Sequence, residues 1–413
     1  MEISSTKKKD FSLLEVKTRT IVTVLTVASV PIAPALFGLR GGALVQAVFG
    51  FVLCLTSPRM RFNKITVFYL VFTGWLACGT LYSREANTSL FLLIGSGVLA
   101  SFAVSGSLTG QLRDPRKQLL FYSTAFIWST ILVCFYCIAV EGLTDRLGRE
   151  VFENGGTYIY LSLNILISGI FALWKVVYSE ETRGKTTAWL QLVLIVAFCM
   201  LSSTRKVILG LAACAVLLMA YKNKVKPLKL IIGFFAMVAI LAGVVHLVFT
   251  VPELQQTVGY RFESMVSALL GNGSDASMNE RDNLRNYALE LFMDNKAIGI
   301  GTEEFRVYAY SLFGRFLYSH CNYTELLCNN GIIGFALYYA IYILVIVESF
   351  RHNNRSIRAF TLCSCATLIV LDYSQVSYYQ IPYIMFLFIL YTINRNCRDC
   401  RKKQSSLNYD CQL

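Results

Sequence analysis

Charge is scarce in this chain: only 15% of its 413 residues are Asp, Glu, Lys or Arg, where an ordinary soluble domain carries about 25%. With 55% hydrophobic residues, it has too little polar surface to cover a globule in water. The same balance excludes a disordered chain, a coiled coil and a small disulfide scaffold. Histidine is scarcer still, with three residues, and the 7 prolines form no linker. A Walker loop, a dinucleotide fingerprint, H-E-x-x-H, G-x-S-x-G and D-x-D are all missing, and with them the signatures of P-loop, zincin and nucleophile-elbow chemistry. No internal repeat is visible.

What is abundant is apolar sequence, with a mean hydropathy of +0.54. About twelve apolar runs can be counted, at roughly 20–38, 42–57, 65–82, 89–108, 118–140, 157–174, 188–203, 207–221, 230–250, 332–350, 359–373 and 380–394. Most approach or reach the roughly 17–25 residues of a spanning helix. Lipid offers no partner to an open backbone, so each is expected to be helical. The fold expected is all-α integral membrane, with a bundle over 1–250, an outer loop over 251–331, further spans over 332–394 and a basic tail over 395–413.

The net charge is +13, which in a soluble chain would suggest nucleic acid. Its placement says otherwise. With the N-terminus inside, 26 of the 38 basic residues fall on the inner connections, as the positive-inside rule requires. The basic balance therefore reports topology, with both termini cytoplasmic, and no nucleic-acid partner is expected. The 13 cysteines lie mostly inside apolar runs, where they act as small buried hydrophobes. Cys397-x-x-Cys400 reads as part of a reduced tail or as half a zinc site without a second pair.

The long outer segment between the ninth and tenth spans has local structure of its own. Ser277-Met-Asn-Glu280 reads as a capping box. Leu284, Ala288, Leu291 and Phe292 then follow at helical spacing, with Asn295 and Gly299 as terminators. The predicted helix is amphipathic and is expected to lie along the outer membrane surface. Arg281 and Arg285, four apart, share one of its faces.

Three sites stand out. Ser202-Ser203-Thr204-Arg205-Lys206 separates two apolar runs that must be antiparallel helices, so its cations sit at an outer turn. Cations there cost up to about 2.5–3.5 kcal/mol each toward mid-bilayer; they read as an anion site or as side chains snorkelling to lipid phosphate. Arg281 with Arg285 behind it reads as a bidentate phosphate grip at a helix N-terminus, or as a solvated face touching anionic lipid. The acids of Glu280-x-Asp282 are candidates for a divalent cation or partners of the helix dipole. His320, in Tyr318-Ser-His-Cys-Asn-Tyr-Thr-Glu325, is the one histidine in an outer loop. It reads as a structural histidine or as a neutral imidazole able to take a proton from a hydroxyl.

In this order the three sites resemble the O-antigen ligase and Wzy-type polysaccharide polymerase superfamily of bacterial membrane glycosyltransferases. The resemblance rests on Thr204-Arg205-Lys206-Val207, on Arg281 through Gly299-Ile-Gly301 and Phe305, and on His320-Cys-Asn-Tyr323-Thr-Glu325-Leu326 before Gly331-Ile-Ile-Gly334. Lys206 stands where the family has a small glycine, and Cys321 where it has an asparagine. The resemblance implies metal-independent, inverting transfer of an undecaprenyl-diphosphate-linked glycan to an acceptor hydroxyl, without a cofactor, at the outer face of the bacterial plasma membrane. Arg205 and Arg281 would hold the diphosphate and His320 would act on the acceptor, with Lys206, Arg285, Arg149, Tyr323 and Glu325 as second-rank contacts. Membrane lipid, a flippase and a chain-length regulator of the same pathway are the partners it implies. Within the class, the Arg-Lys variant points to a polymerase of repeat units, the alternative being ligation to lipid A core, protein or wall. A 12-span transporter is the distant rival, set against by charges that gather at the outer boundary rather than the midplane.

Overall fold

The computed structural model describes residues 3–57, 62–84, 88–107, 114–142, 147–153, 159–179, 182–202, 205–223 and 276–410. The predicted ninth span, 230–250, and the start of the long outer segment lie outside them, as do the side chains of Arg149, Arg205 and Ser277. The described residues are mainly helical, and no strand occurs among them.

The first helix, α1 (Ile3–Thr56), breaks at Gly38 with φ 69 and ψ 172, a conformation essentially confined to glycine. Its halves fold back on each other, for Arg19 Nε donates to the Thr56 carbonyl at 3.2 Å and Gln46 Nε2 to that of Ser29 at 3.3 Å. The runs predicted at 20–38 and 42–57 are thus the arms of a hairpin. Next come α2 (Lys64–Thr80), α3 (Thr88–Ser107), α4 (Pro115–Glu141) and the short α5 (Arg149–Glu153). The helices α6 (Ile159–Tyr178), α7 (Thr182–Leu201) and α8 (Arg205–Asn223) follow. Seven described helices are long and apolar enough to cross a membrane, α1 counted once, and α2 is a shorter apolar one.

The outer segment supplies α9 (Ala276–Asp294) and α10 (Phe305–Phe313). The chain ends with α11 (Asn322–Ser349), α12 (Arg355–Leu371) and α13 (Ile381–Asp410). The predicted amphipathic helix exists, but it includes Ser277 instead of starting after it. On its apolar face Leu284 and Ala288 are buried with Phe305, Ala309 and Cys328, a small core shared with α10 and α11, while Leu289 and Met293 stay exposed. Burial against protein removes more apolar area from water than half-immersion in lipid headgroups would.

Hydrogen bonds distinguish two ends of the bundle. At one end Arg116 donates to Tyr178, Arg355 to Tyr221 and Lys222 to Val177, all at carbonyls that end helices. Arg398 pairs with buried Glu348 at 2.5 Å, and His352 bonds Asn394 at 2.7 Å. Cations near helix C-termini meet the negative end of the dipole, and these are the residues predicted to face inward. The other end joins Leu201 to Leu147, Lys206 to Ser374, and Asn322 to Asp372.

That second end is organised by a break in α11. Gly331 has φ 64 and ψ −172 inside the helix, which frees backbone groups on either side. The 296–301 loop takes them up. Ile300 and Gly301 N–H groups donate to the Cys328 and Asn329 carbonyls at 2.9 and 3.0 Å, and Ile332 N–H donates to Lys296 at 2.9 Å. Trp75 Nε1 donates to the Asn330 carbonyl at 3.1 Å, and Thr302 Oγ1 to Leu76 at 2.8 Å. The Gly-x-Gly turn and the Asn-Gly step of the sequence are therefore two halves of one backbone joint, tying α2, α9 and α11 together. A Cβ on Gly331 would lie 2.2 Å from the Ala297 carbonyl oxygen. Gly331→Ala is expected to cost about 2–3 kcal/mol or more, read as a lowered thermal midpoint of the detergent-purified protein. Gly74→Ala, where a Cβ meets nothing within 4 Å, should leave that midpoint unchanged or raise it slightly.

Candidate active site

His320 closes the loop between α10 and α11 with a left-handed φ of 58. Non-glycine residues hold this conformation only where the surroundings impose it. Here the neighbours do so. Ser319 N–H donates to Glu325 Oε2 at 2.6 Å, Ser319 Oγ donates to the Cys321 carbonyl at 2.9 Å, and Thr324 Oγ1 donates to Ser319 Oγ at 2.9 Å. The His320 ring lies against Tyr318, with centroids 4.2 Å apart and the planes tilted by 42°. Two residues on, Asn322 N–H donates to the Asp372 carbonyl at 2.7 Å, so the mouth of α11 is sewn to the end of α12.

Around this imidazole gather Arg281, Lys206 and Arg285. Burial pushes the His320 pKa down from 6.5 to about 4, and the charges of Arg281, Lys206 and Arg285 push the same way. At neutral pH the ring is uncharged and keeps an acceptor nitrogen. Arg281 is exposed. Lys206 Nζ donates to the Ser374 carbonyl at 3.3 Å. Arg285 donates to Asp282 Oδ1 at 2.7 Å and lays its guanidinium over the Tyr373 ring, 4.6 Å from the centroid. Four predicted site residues from three distant stretches of chain are thus brought together.

The remaining candidates fall out differently. Arg205 opens α8 next to Lys206, which puts its backbone at this end; its side chain lies outside the description. Arg149 opens α5, which is held to the same end by the Leu147 N–H bond to the Leu201 carbonyl at 3.2 Å. Tyr323 spends its hydroxyl on the Ile369 carbonyl and stacks on Tyr339, with centroids 5.3 Å apart. Glu325 is buried, with one oxygen on Ser319 and the other taking Asn329 Nδ2 at 3.1 Å. Both face protein and shape the loop that carries His320. Glu280 pairs with Arg315 and Asp282 with Arg285, so both acids serve ion pairs.

One cluster escaped the sequence reading. Asp372 is fully buried; it accepts from Ser377 Oγ at 2.6 Å and from Tyr339 at 3.0 Å. Asn322 Oδ1 accepts from Ser377 N–H at 2.9 Å. With Tyr373 under Arg285 and the Ser374 carbonyl on Lys206, one turn touches three parts of the site. The available signal was a lone acid ending an apolar run, since an acid at membrane depth is expensive and marks function.

This is a multi-pass membrane protein in which His320, Lys206, Arg281 and Arg285 lie at one end of its helices. A family model described as O-antigen ligase matches residues 190–339, a stretch that holds Lys206, Arg281, Arg285 and His320. Over that stretch the chain is similar to the O-antigen ligases. No curated protein matches the chain.

The depressed His320 pKa has a consequence for stability. The unfolded chain takes up this proton as pH falls through about 6.5, while the folded protein resists until about pH 4, so stability must fall with pH across that window. His320→Gln is expected to flatten that part of the decline. The check is the thermal midpoint of both proteins measured from pH 7 to about pH 4.

Proposed function

We propose that the chain is a metal-independent inverting glycosyltransferase. In this reading it polymerises undecaprenyl-diphosphate-linked repeat units into a surface polysaccharide at the outer leaflet of the bacterial plasma membrane. The observation that carries the reading is a neutral His320 set among Arg281, Lys206 and Arg285, within the stretch that matches the O-antigen ligase model. About twelve spans with both termini cytoplasmic complete it. The end that carries Arg116, Arg355 and Arg398 is then the inner face, and the end that carries His320 the outer one.

The chemistry follows from that geometry. The acceptor hydroxyl oxygen attacks the anomeric carbon from the face opposite the diphosphate, which inverts its configuration. Its proton passes to the imidazole nitrogen of His320 as the new C–O bond forms. The bond from the anomeric carbon to the phosphate oxygen breaks, and the diphosphate leaves with the electron pair. Arg281 and Arg205 stabilise the charge that develops on it, with Lys206 and Arg285 beside them. A neutral base is needed for this; burial keeps the imidazole neutral, and the charges of the residues that bind the anion push the same way.

The ligase reading is the second, and the description of the matched family favours it. The two differ in acceptor: another lipid-linked repeat, or lipid A core, protein or wall. Deleting the gene in its host and resolving surface glycans and lipid-linked intermediates on a gel separates them. Accumulated single repeats with loss of long chains are expected for a polymerase; long lipid-linked chains that never reach an acceptor would make it a ligase. In complementation, Arg205→Ala, Arg281→Ala and His320→Ala should each restore less than about a hundredth of wild-type transfer. Normal glycans from all three would refute the site.

A further inference from the structure

We propose that the groove between α1 and α4 binds an anionic phospholipid, with the lipid phosphate on Lys117 and one acyl chain laid along the groove. The proposal lies apart from the transfer chemistry, and its failure would leave that reading untouched. Three observations point to it.

The first is the shape. A cavity of about 680 Å³ opens between the two helices, with Ala28 on the α1 side. On α4 two rows at i, i+4 spacing line it. Phe121, Ala125 and Ser129 form the floor, half-buried or buried, while Leu120, Trp128 and Leu132 stand at the rim, 38%, 43% and 60% exposed. The hydroxyls in the groove are spent within the helix. Ser129 Oγ donates to the Phe126 carbonyl at 2.9 Å, and Thr124 Oγ1 to that of Leu120 at 2.7 Å. What remains is an apolar channel, suited to hydrocarbon and not to water.

The second is the length. Lys117 lies in the first turn of α4, and Leu132 stands 15 residues further on, about 22 Å along the helix. One leaflet's share of the hydrocarbon core is roughly 15 Å, so the groove runs from headgroup level to just past the midplane. That is the reach of one chain hung from one headgroup. Trp128, about 16 Å along, stands near the midplane, away from the interfacial belts where tryptophan gathers.

The third is the charge. Lys117 continues the floor row by one turn, at the end of the bundle that carries Arg116 and Arg398, and it is exposed. Its polar neighbours are engaged. Arg116 donates to the Tyr178 carbonyl at 2.6 Å, Lys175 to Gln191 Oε1 at 2.8 Å, and Asp114 accepts from Arg116 N–H at 2.9 Å as the helix cap. Lys117 has neither a hydrogen bond nor an ion pair among the described residues. An ammonium at headgroup depth, over the mouth of an apolar channel, complements a phosphate that carries a chain. Choline offsets the charge of that phosphate in phosphatidylcholine, so a lipid of net negative charge fits better.

The test reconstitutes the full-length protein in phosphatidylcholine vesicles and reads tryptophan quenching. The vesicles hold an equal share of either phosphatidylglycerol or phosphatidylcholine brominated on the acyl chain. The Trp128 signal is the difference between the unaltered protein and Trp128→Phe. The tryptophans that remain, Trp189 among them at 55% exposed, report bulk lipid. Both lipids should quench Trp128, the brominated phosphatidylglycerol binding about fivefold more strongly. Lys117→Ala should bring that ratio to about one, and Lys117→Arg should keep it. Ala125→Phe, which fills the floor but leaves the charge, should also bring it to about one.

Equal quenching by the two lipids in the unaltered protein, or a preference that survives Lys117→Ala, would overturn the proposal. So would a preference that survives Ala125→Phe, since surface charge would then account for it without the groove. Trp128 shielded from both lipids would mean that protein covers the groove. Relief of the quenching by a trace of polyprenyl phosphate would assign the groove to a different lipid. Either result overturns the proposal too.

Discussion

A helix that breaks within a membrane protein must find new partners for the backbone groups it frees, because a buried amide or carbonyl without one is costly. The break at Gly331 in α11 poses that demand, and the 296–301 loop meets it with bonds from Ile300 and Gly301 and to Ile332. The rest of the site depends on this joint. It fixes the end of α9 against α11, so Arg281 and Arg285 stand over the segment where His320 turns into α11. Glu325 and Asn329 extend the joint to the His320 loop through Ser319 N–H and to α10 through Phe305 N–H, which donates to Asn329 Oδ1 at 2.9 Å. Several polar residues that look like substrate contacts in the sequence are consumed in this way.

Two opposite uses of positive charge follow from the same membrane. At one end cations cap helix C-termini or pair with Glu348, where they are neutralised. At the other, Lys206, Arg281 and Arg285 surround an imidazole that burial and their charge keep neutral. Asp282 neutralises one of them, pairing with Arg285 at 2.7 Å. The protein supports the arrangement with a carbonyl on Lys206, a carboxylate and an aromatic face on Arg285, and a strained backbone at His320.

Much of this was legible from residue order. Most of the apolar runs within the described residues coincide with helices, and the runs themselves break near Gly38 and Gly331. The helices at 182–201 and 322–349, however, start well before their runs, and the last one continues well past its run. His320 stood out because histidine is rare here, and Arg281 and Arg285 because helical spacing puts them on one face. Other features were hidden. The apolar face of α9 gives the same pattern whether it meets lipid or protein, and only its packing on Phe305 and Cys328 decides between them. Tyr323 and Glu325 sit in a motif that suggests ligand contact, yet their polar atoms turn inward.

By itself the sequence determined that the chain is helical and membrane-embedded, and which ends of its helices carry excess positive charge, because both follow from what lipid allows backbone and charge to do. It also contained the parts of a cation and histidine site. Tertiary structure alone decided which of those parts meet, and that Asp372, Tyr373 and Ser374 belong with them. The physical reason is that a hydrogen bond or a stacked ring between distant segments leaves no periodic mark along the chain. Its energy depends on distances of a few ångströms that exist only once the helices are packed.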